Sequence, residues 1–144
     1  MADAIFRGLH LFGALGMAAG LIIASLAAGS LANDGEQHPL AYQTFRRIYA
    51  YTALAALLSI AGGLMLWLAV GKPAAFFSNN PVFHAKLGLV MVLLVTLIYP
   101  AWCLCRPRGQ NPLPRSLLRL QKSALPLLVI VPVLAYLMAR GVGY

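Results

Sequence analysis

Four long apolar stretches without charge dominate the pattern of hydrophobic and polar positions along this chain of 144 residues. They cover residues 8–33, 48–71, 87–105 and 123–139. A membrane-spanning α-helix needs about 20 predominantly apolar residues, with a range of about 17–25. The first two stretches are too long for strands and lack the alternation of a transmembrane barrel. The pattern therefore predicts an all-α integral membrane protein.

We expect one domain over residues 1–144, a bundle of four transmembrane helices with essentially no soluble part. The four spans are predicted at about residues 5–32, 47–71, 81–105 and 116–140. The first apolar stretch far exceeds the core of about 7–15 residues in a signal peptide. The first helix is therefore expected to be retained.

Polar and helix-breaking residues separate these spans. Residues 33–39 form a polar loop punctuated by Gly and Pro. The second helix is expected to end at residues 71–73, and a short loop over residues 74–79 follows. Asn80 and Pro81 then have the pattern of a helix N-cap followed by proline at the first helical position.

Aromatic residues and prolines suggest where the helices meet the interface and where they bend. Tyr49 and Tyr51, near the start of the second span, are expected at interface depth as part of an aromatic belt. Pro126 and Pro132 are expected to kink the last helix, which a membrane tolerates. The first helix is rich in small residues, which let helix backbones approach closely in lipid.

Composition supports the membrane assignment, and charge predicts an orientation. Apolar residues make up 61% of the chain and charged residues 10%, against about 25% charged in a typical soluble domain. The net charge of +8 would suggest nucleic acid in a soluble protein. Here the cations lie at helix ends, where anionic lipid and the positive-inside rule explain them. We expect the lipid bilayer, and no nucleic acid, as the partner of these cations.

The distribution of cations between the two sides is uneven. Four cations belong to the side of the termini and second loop: Arg7, Lys72, Lys86 and Arg140. Seven belong to the first and third loops: Arg46, Arg47, Arg106, Arg108, Arg115, Arg119 and Lys122. We therefore expect a multi-pass protein of the bacterial inner membrane with both termini in the periplasm.

Ionisable residues within the spans are the first candidates for function, because a charge at mid-bilayer costs about 2.5–3.5 kcal/mol. Four qualify, and all belong to one leaflet: Arg7, His10, His84 and Lys86. His10 lies inside the first helix. His84 lies three residues past Pro81, about 4.5 Å along the third helix. Two histidines at similar depth on separate helices are able to face each other across a bundle.

Histidines on facing helices are a common way for a helical bundle to bind a metal or haem iron. Small residues lie one turn deeper than each histidine, namely Gly13 and Ala14 in the first helix and Gly88 in the third. They would give clearance to a planar macrocycle. Arg7 lies on the face of His10 and nearer to water, where a haem propionate would lie.

Structural roles for the same residues stand beside this interpretation. A histidine in a membrane often only forms hydrogen bonds between helices. Lys86 is about 200° around the helix from His84, so snorkelling to the interface is as good an explanation as a role in the site. Cys103 and Cys105 lack the C-x-x-C-H pattern of covalent haem and are interpreted as apolar filling. Neither a nucleotide-binding loop nor a Ser-His-Asp set is present in the sequence.

Three segments resemble a bacterial inner-membrane family, domain of unknown function 2214, over nearly the whole chain. They are residues 80–87 (NPVFHAKL), 98–100 (IYP) and 137–141 (LMARG). That family is distantly similar to HemJ-type protoporphyrinogen oxidases and to CopD copper-resistance membrane proteins. The HemJ-type proteins have a histidine in the first helix, matched by His10, and a His-x-Lys on a later helix, matched by His84 and Lys86.

The resemblance implies a non-covalent haem b with His10 and His84 as axial ligands of its iron. The Arg- and His-containing motif that follows the first helix of the HemJ-type proteins is missing, so it implies haem binding rather than protoporphyrinogen oxidation. The expected function is electron transfer, with a quinone or another membrane redox partner. Whether the chain is an enzyme is left open.

Two other functions stay open at this point. The first is that of a cofactor-free accessory or assembly subunit of a larger membrane complex. The other is copper handling of the CopD kind. Association as a homodimer or in a larger membrane complex is open for either function. Copper(I) sites favour Met and Cys ligands, and no methionine cluster lies near His10 or His84 in the sequence. Copper therefore ranks last.

Overall fold

The computed structural model describes residues 1–33, 39–70, 74–105 and 115–143 of the chain. Every regular element in this part is helical. The helices are α1 (Ala2–Asn33), α2 (Pro39–Met65, continued by a π-helical turn over Leu66–Val70), α3 (Ala74–Ser78), α4 (Pro81–Cys105) and α5 (Arg115–Ala139). The helices α1, α2, α4 and α5 are long and apolar enough to cross a membrane. The prediction of an all-α protein with four spans is confirmed.

The four long helices follow one another around a ring. Helix α1 packs against α2, α2 against α4, α4 against α5, and α5 returns to α1. The diagonal pairs α1/α4 and α2/α5 have no Cα atoms within 8 Å of each other among the described residues. The contact between α1 and α2 is the most extensive of all. His10 and His84 thus belong to diagonally opposed helices.

The buried core lies in the half of the bundle farther from His10. Its members are Leu21, Ala24, Phe45, Tyr49, Ala56, Leu93, Leu97 and Ala124. All four long helices contribute to it. Large apolar side chains such as Leu15, Leu57 and Val95 are exposed on the outer faces. This is the distribution expected of helices whose solvent is lipid, because lipid tails are as apolar as leucine.

The structure differs from the sequence prediction at two boundaries. Helix α2 begins at Pro39 rather than near residue 47, and residues 74–78 of the predicted loop form the short helix α3. Because α2 starts earlier, Tyr49 lies more than two turns inside the helix, and it is 2% exposed. It belongs to the buried core, and its place at interface depth stays a prediction. Tyr51 is two residues away, on another face of the helix, and is 73% exposed.

One further expectation is confirmed, and several others concern residues outside the described part of the chain. Oδ1 of Asn80 accepts a hydrogen bond of 2.8 Å from the Val82 N–H, so the predicted N-cap of α4 is confirmed. Helix α5 continues through Pro126 and Pro132, and neither proline ends it. The loops at residues 34–38, 71–73 and 106–114, and the side chains of Cys103 and Cys105, lie outside what the structure describes.

Candidate functional site

The seam between α1 and α2 is built on glycines that let the two backbones touch. A Cβ atom on Gly13 would lie 2.5 Å from the Ser59 backbone nitrogen. A Cβ on Gly62 would lie 2.7 Å from the His10 backbone nitrogen. Farther along, a Cβ on Gly20 would overlap the Thr52 hydroxyl. Glycines therefore set the closeness of this pair along its length, as small residues do in membrane helix packing.

His10 is held inside this seam by α2. Its Nδ1 lies 2.7 Å from the Ser59 carbonyl oxygen and 3.2 Å from Ser59 Oγ. The Ser59 hydroxyl in turn donates to the His10 carbonyl oxygen over 3.1 Å. A Cβ on Gly63 would lie 3.0 Å from Nδ1, so the ring packs against bare backbone. A carbonyl only accepts, so Nδ1 carries the proton that it donates, and Nε2 has no hydrogen-bond partner among the described residues.

His84 lies in a different environment, on the exposed side of the first turn of α4. Its Nε2 lies 2.7 Å from the carbonyl oxygen of Ser78, the last residue of α3, and therefore donates to it. Residues 78–84, which join α3 to the first turn of α4, form an elbow. Phe83 links this elbow to α2, because its ring centroid lies 5.0 Å from that of Trp67. The Trp67 indole N–H also donates to the Ser78 hydroxyl over 3.3 Å.

The two histidines lie at the same end of the bundle but are not brought face to face. Gly63, beside His10, is followed one turn later by Trp67, which contacts the aromatic ring next to His84. Each imidazole is bonded to a backbone carbonyl, His10 on α2 and His84 on α3. Among the described residues, the ring nitrogen without a hydrogen-bond partner is Nε2 in His10 and Nδ1 in His84.

The small residues proposed to give clearance behave differently from one another. Gly13 is in contact with α2, and Ala14 beside it is half-buried. Gly88 is exposed, and a Cβ there would meet nothing within 4 Å. The open space beside Gly88 is on the same exposed side as His84.

The two cations of the predicted site are also separate. The Arg7 Nε–H donates to Asp3 Oδ2 over 2.7 Å, and the Arg7 side chain is 65% exposed. Lys86 is half-buried and forms no ion pair with a described residue. Exposed pairs such as that of Arg7 contribute about 0–1 kcal/mol. Arg7 is therefore available to an anion at the membrane surface.

Sequence reasoning missed the residues that hold the two histidines. Ser59, Gly62 and Gly63 form a cluster of small residues in the second span, and Ser78 lies in what was taken for a loop. The glycines of the first span and the small residues from Ser59 to Gly63 in the second span could together have predicted the close packing of these two helices. Ser78 had no such signal, because its role depends on the turn between α3 and α4.

A metal held by several side chains is not indicated by the described part of the chain, which contains no group of three or more His, Cys, Asp or Glu residues. Haem needs fewer ligands from the protein, because only the axial ligands of the iron are side chains. His10 fits that role, since one ring nitrogen is oriented by a carbonyl and the other is unpartnered. His84 has the same arrangement, with Nε2 bonded to the Ser78 carbonyl and Nδ1 unpartnered among the described residues, but its ring does not face His10.

The fold and the composition together define a multi-pass helical membrane protein in which His10 and His84 lie at one end of the bundle. Within that class, the chain belongs to the family of predicted membrane proteins known as DUF2214, whose model matches residues 2–143. No curated protein and no solved structure matches the chain. The family is thus established, whereas these comparisons do not show the likeness to HemJ-type and CopD proteins.

Proposed function

We propose that this protein is a haem b-binding protein of the bacterial inner membrane, with His10 as the ligand that the fold prepares. One observation carries the proposal: the Ser59 carbonyl holds Nδ1 of His10 at 2.7 Å. Histidines that bind metals almost always donate their other ring N–H to a carbonyl, a carboxylate or water, which fixes the tautomer and the ring orientation. Packing against Gly63 adds steric restraint to the same ring.

His84 is the second axial ligand in this proposal. It lies on the helix diagonally opposite to that of His10, and cofactors of helical bundles are held by side chains from facing helices. Because the two imidazoles are not face to face, binding of one iron by both requires the His84 ring to move, and Nδ1 is its nitrogen without a partner among the described residues. Two imidazole ligands leave no open position on iron, so the bound haem would supply one-electron transfer rather than oxygen activation.

The other residues of the predicted site have supporting roles. Arg7 would neutralise a propionate at the membrane surface, exchanging Asp3 for the new anion or sharing it. Gly88 leaves space beside His84, and Lys86 on the opposite face of α4 adds a second cation at the same end of the bundle. A quinone or a membrane redox protein is the proposed electron partner.

The visible spectrum of the purified protein tests the proposal. After expression with added haem precursor, we expect a Soret band and a reduced-minus-oxidised spectrum of low-spin haem b. His10→Ala should abolish bound haem, and His84→Ala should abolish it or convert the iron to a five-coordinate form. His38→Ala changes the third histidine of the chain and is the matched control. A colourless wild-type protein, or full haem content in His10→Ala, would refute the assignment.

The orientation belongs to the same proposal. Arg46, Arg47, Arg119 and Lys122 are exposed at the end of the bundle opposite to Arg7. The positive-inside rule then assigns that end to the cytoplasm and both termini to the periplasm. An alkaline phosphatase fusion at the C-terminus should be active. An inactive phosphatase fusion together with a fluorescent protein fusion that glows would reverse the orientation.

A cofactor-free accessory or assembly subunit is the second candidate, and one observation favours it. Both imidazoles already donate to backbone carbonyls, so each has a complete role in joining two elements. In that case the protein is colourless, and His10→Asn keeps the fold because its amide still donates to the Ser59 carbonyl. Copper handling rests on the CopD likeness alone, and no feature of the described residues favours it.

A further inference from the structure

The end of α5 closes in a turn that contains two glycines with positive φ. The φ angle is 84° at Gly141 and 99° at Gly143, a region that L side chains rarely adopt. The Val142 N–H donates to the Leu137 carbonyl and the Gly141 N–H to the Met138 carbonyl, each over 3.1 Å. This pair of bonds is a Schellman motif, which satisfies the last carbonyls of a helix.

Asn80 joins this turn to the start of α4. Its side chain is completely buried, with 0% exposure. Its Oδ1 accepts from the Val82 N–H over 2.8 Å, and its Nδ2 donates to the Val142 carbonyl over 3.2 Å. A Cβ atom on Gly143 would lie 2.5 Å from Asn80 Oδ1. Both the amide oxygen and the amide nitrogen of the Asn80 side chain are therefore hydrogen-bonded. Only glycine at position 143 leaves room for this side chain.

The same residue also sets the position of His84. The Asn80 backbone carbonyl accepts from the N–H groups of Phe83, over 3.1 Å, and His84, over 3.3 Å. The His84 ring then reaches back to Ser78, two residues before Asn80. A displacement of Asn80 is thus transmitted directly to the backbone that carries the His84 imidazole.

We propose that Asn80 and residues Gly141–Gly143 form a clasp between the end of α5 and the start of α4, and that Asn80 is a positioning residue for His84. The existence of the clasp does not depend on any cofactor. Its bearing on an iron ligand rests on the proposed function. The clasp also makes residues Gly141–Gly143 part of the candidate site.

Amide hydrogen exchange on the full-length protein in detergent tests the clasp without haem. Asn80→Ala should speed exchange at residues 82–84, because the Val82 N–H loses its cap and the first turn of α4 frays. It should also speed exchange at residues 141–142, because the turn that holds these N–H groups loses the amide that donates to the Val142 carbonyl. Asn80→Asp keeps the oxygen that caps α4 but loses the donor to Val142. It should therefore speed exchange at residues 141–142 while residues 82–84 stay protected.

Asn79→Ala is the matched control, because Asn79 is the neighbouring asparagine and its side chain is exposed. It should leave exchange unchanged at both places. If Asn80→Ala speeds exchange at residues 82–84 alone, Asn80 is only a helix cap and the clasp does not exist. Equal effects of the Asn79 and Asn80 variants would refute it as well.

The two glycines give an independent test through the thermal midpoint. Gly141→Ala and Gly143→Ala both place a side chain at positive φ, but only the second meets Asn80. Gly143→Ala should lower the midpoint more than Gly141→Ala, and this excess should disappear when Asn80 is also alanine. An excess that persists in the Asn80→Ala background would overturn the contact.

The role of Asn80 in positioning His84 is tested by measurements on the protein with haem bound. Asn80→Ala should shift the midpoint potential or lower the haem content, Asn80→Asp should restore most of either, and Asn79→Ala should change neither. Unchanged haem properties in Asn80→Ala, with the exchange results as expected, would leave a clasp that does not position His84. A wild-type protein without haem would instead refute the proposed function, while the exchange data still decide the clasp.

Discussion

His10 lies in a seam where two helix backbones touch, whereas His84 lies on an elbow held by separate hydrogen bonds. The seam is closed by glycines, and any Cβ at Gly13 or Gly62 would collide with the backbone of the other helix. The elbow depends on individual bonds from the His84 ring to Ser78 and from the Asn80 side chain to its neighbours. In both regions an imidazole is hydrogen-bonded to a backbone carbonyl, but the seam restrains its ring more tightly than the elbow does.

The difference has a consequence for function. Moving His10 requires separating α1 from α2, which disrupts the largest helix contact of the bundle. Moving His84 requires breaking one hydrogen bond at an exposed position. We therefore expect His10 to be the fixed member of the pair and His84 the adjustable one, which approaches a ligand when it binds.

The largest expected effect comes from opening the seam. Gly62→Ala places a Cβ 2.7 Å from the His10 backbone nitrogen and 3.0 Å from the Phe6 carbonyl oxygen, and neither atom is free to move. Overpacking of this kind costs about 1–3 kcal/mol. Denaturation by sodium dodecyl sulfate, followed by circular dichroism, should show this loss for Gly62→Ala and for Gly13→Ala.

Gly8→Ala is the control for this prediction. A Cβ at Gly8 meets nothing within 4 Å, and alanine favours a helix over glycine by about 1 kcal/mol. This variant should be neutral or slightly more stable. Equal stability of Gly8→Ala and Gly62→Ala would show that the seam is looser than described.

A smaller effect of opposite sign is expected at the far end of the same helix pair. The Tyr49 hydroxyl is buried and has no hydrogen-bond partner in the part of the chain that the structure describes. An unsatisfied buried polar group costs about 1–3 kcal/mol. Tyr49→Phe should therefore raise the free energy of unfolding by about 1 kcal/mol, and Tyr51→Phe, at an exposed position, should not. A loss of stability in Tyr49→Phe would instead reveal a bonded water or polar group in the core.

The fold was predictable from sequence because hydropathy reports directly on burial in lipid. The four uncharged stretches correspond to α1, α2, α4 and α5, and the pair Asn80-Pro81 marked the start of α4 because a cap is a local feature. The start of α2 was placed too late because its first turns are polar. The burial of Tyr49 was not predicted, because it depends on contacts between helices.

The candidate site was predictable only in part. An ionisable residue within a span is visible in the sequence, so His10 and His84 were found at once. Their partners were not found, because Ser59 and Ser78 are identified by distance in space rather than by spacing along the chain. The contact between Asn80 and Val142 spans 62 positions and depends on glycines whose φ angles no sequence pattern reports.

A modest effect is expected when a side chain of the seam is removed but its backbone is kept. Ser59→Ala loses the hydroxyl that donates to the His10 carbonyl, yet it retains the Ser59 carbonyl that holds Nδ1. Interhelical hydrogen bonds in membrane proteins contribute about 0.6 kcal/mol on average. The stability loss should be of that size, and nitrogen NMR should still detect the proton of His10 on Nδ1. Ser123→Ala, whose hydroxyl bonds only within its own helix, is the control.

The smallest effect on stability is expected at the ion pair outside the seam. Arg7 and Asp3 are four residues apart on α1, and their side chains are 65% and 43% exposed. Pairs of this type contribute about 0.3–0.5 kcal/mol and are screened by salt. Arg7→Ala should therefore scarcely change the unfolding midpoint. Its effect on haem is expected to be larger, because a cation near a propionate stabilises the anionic group and influences the midpoint potential.

Asp3→Ala separates these two roles of Arg7. It breaks the same ion pair but leaves the guanidinium free for a propionate, so stability should fall slightly while haem content is kept. Arg7→Ala should lower the midpoint potential or loosen the haem, and Arg7→Lys should do so less, since lysine keeps the charge but loses bidentate geometry. Equal potentials in Arg7→Ala, Asp3→Ala and the wild type would reduce Arg7 to a topology signal at the lipid surface.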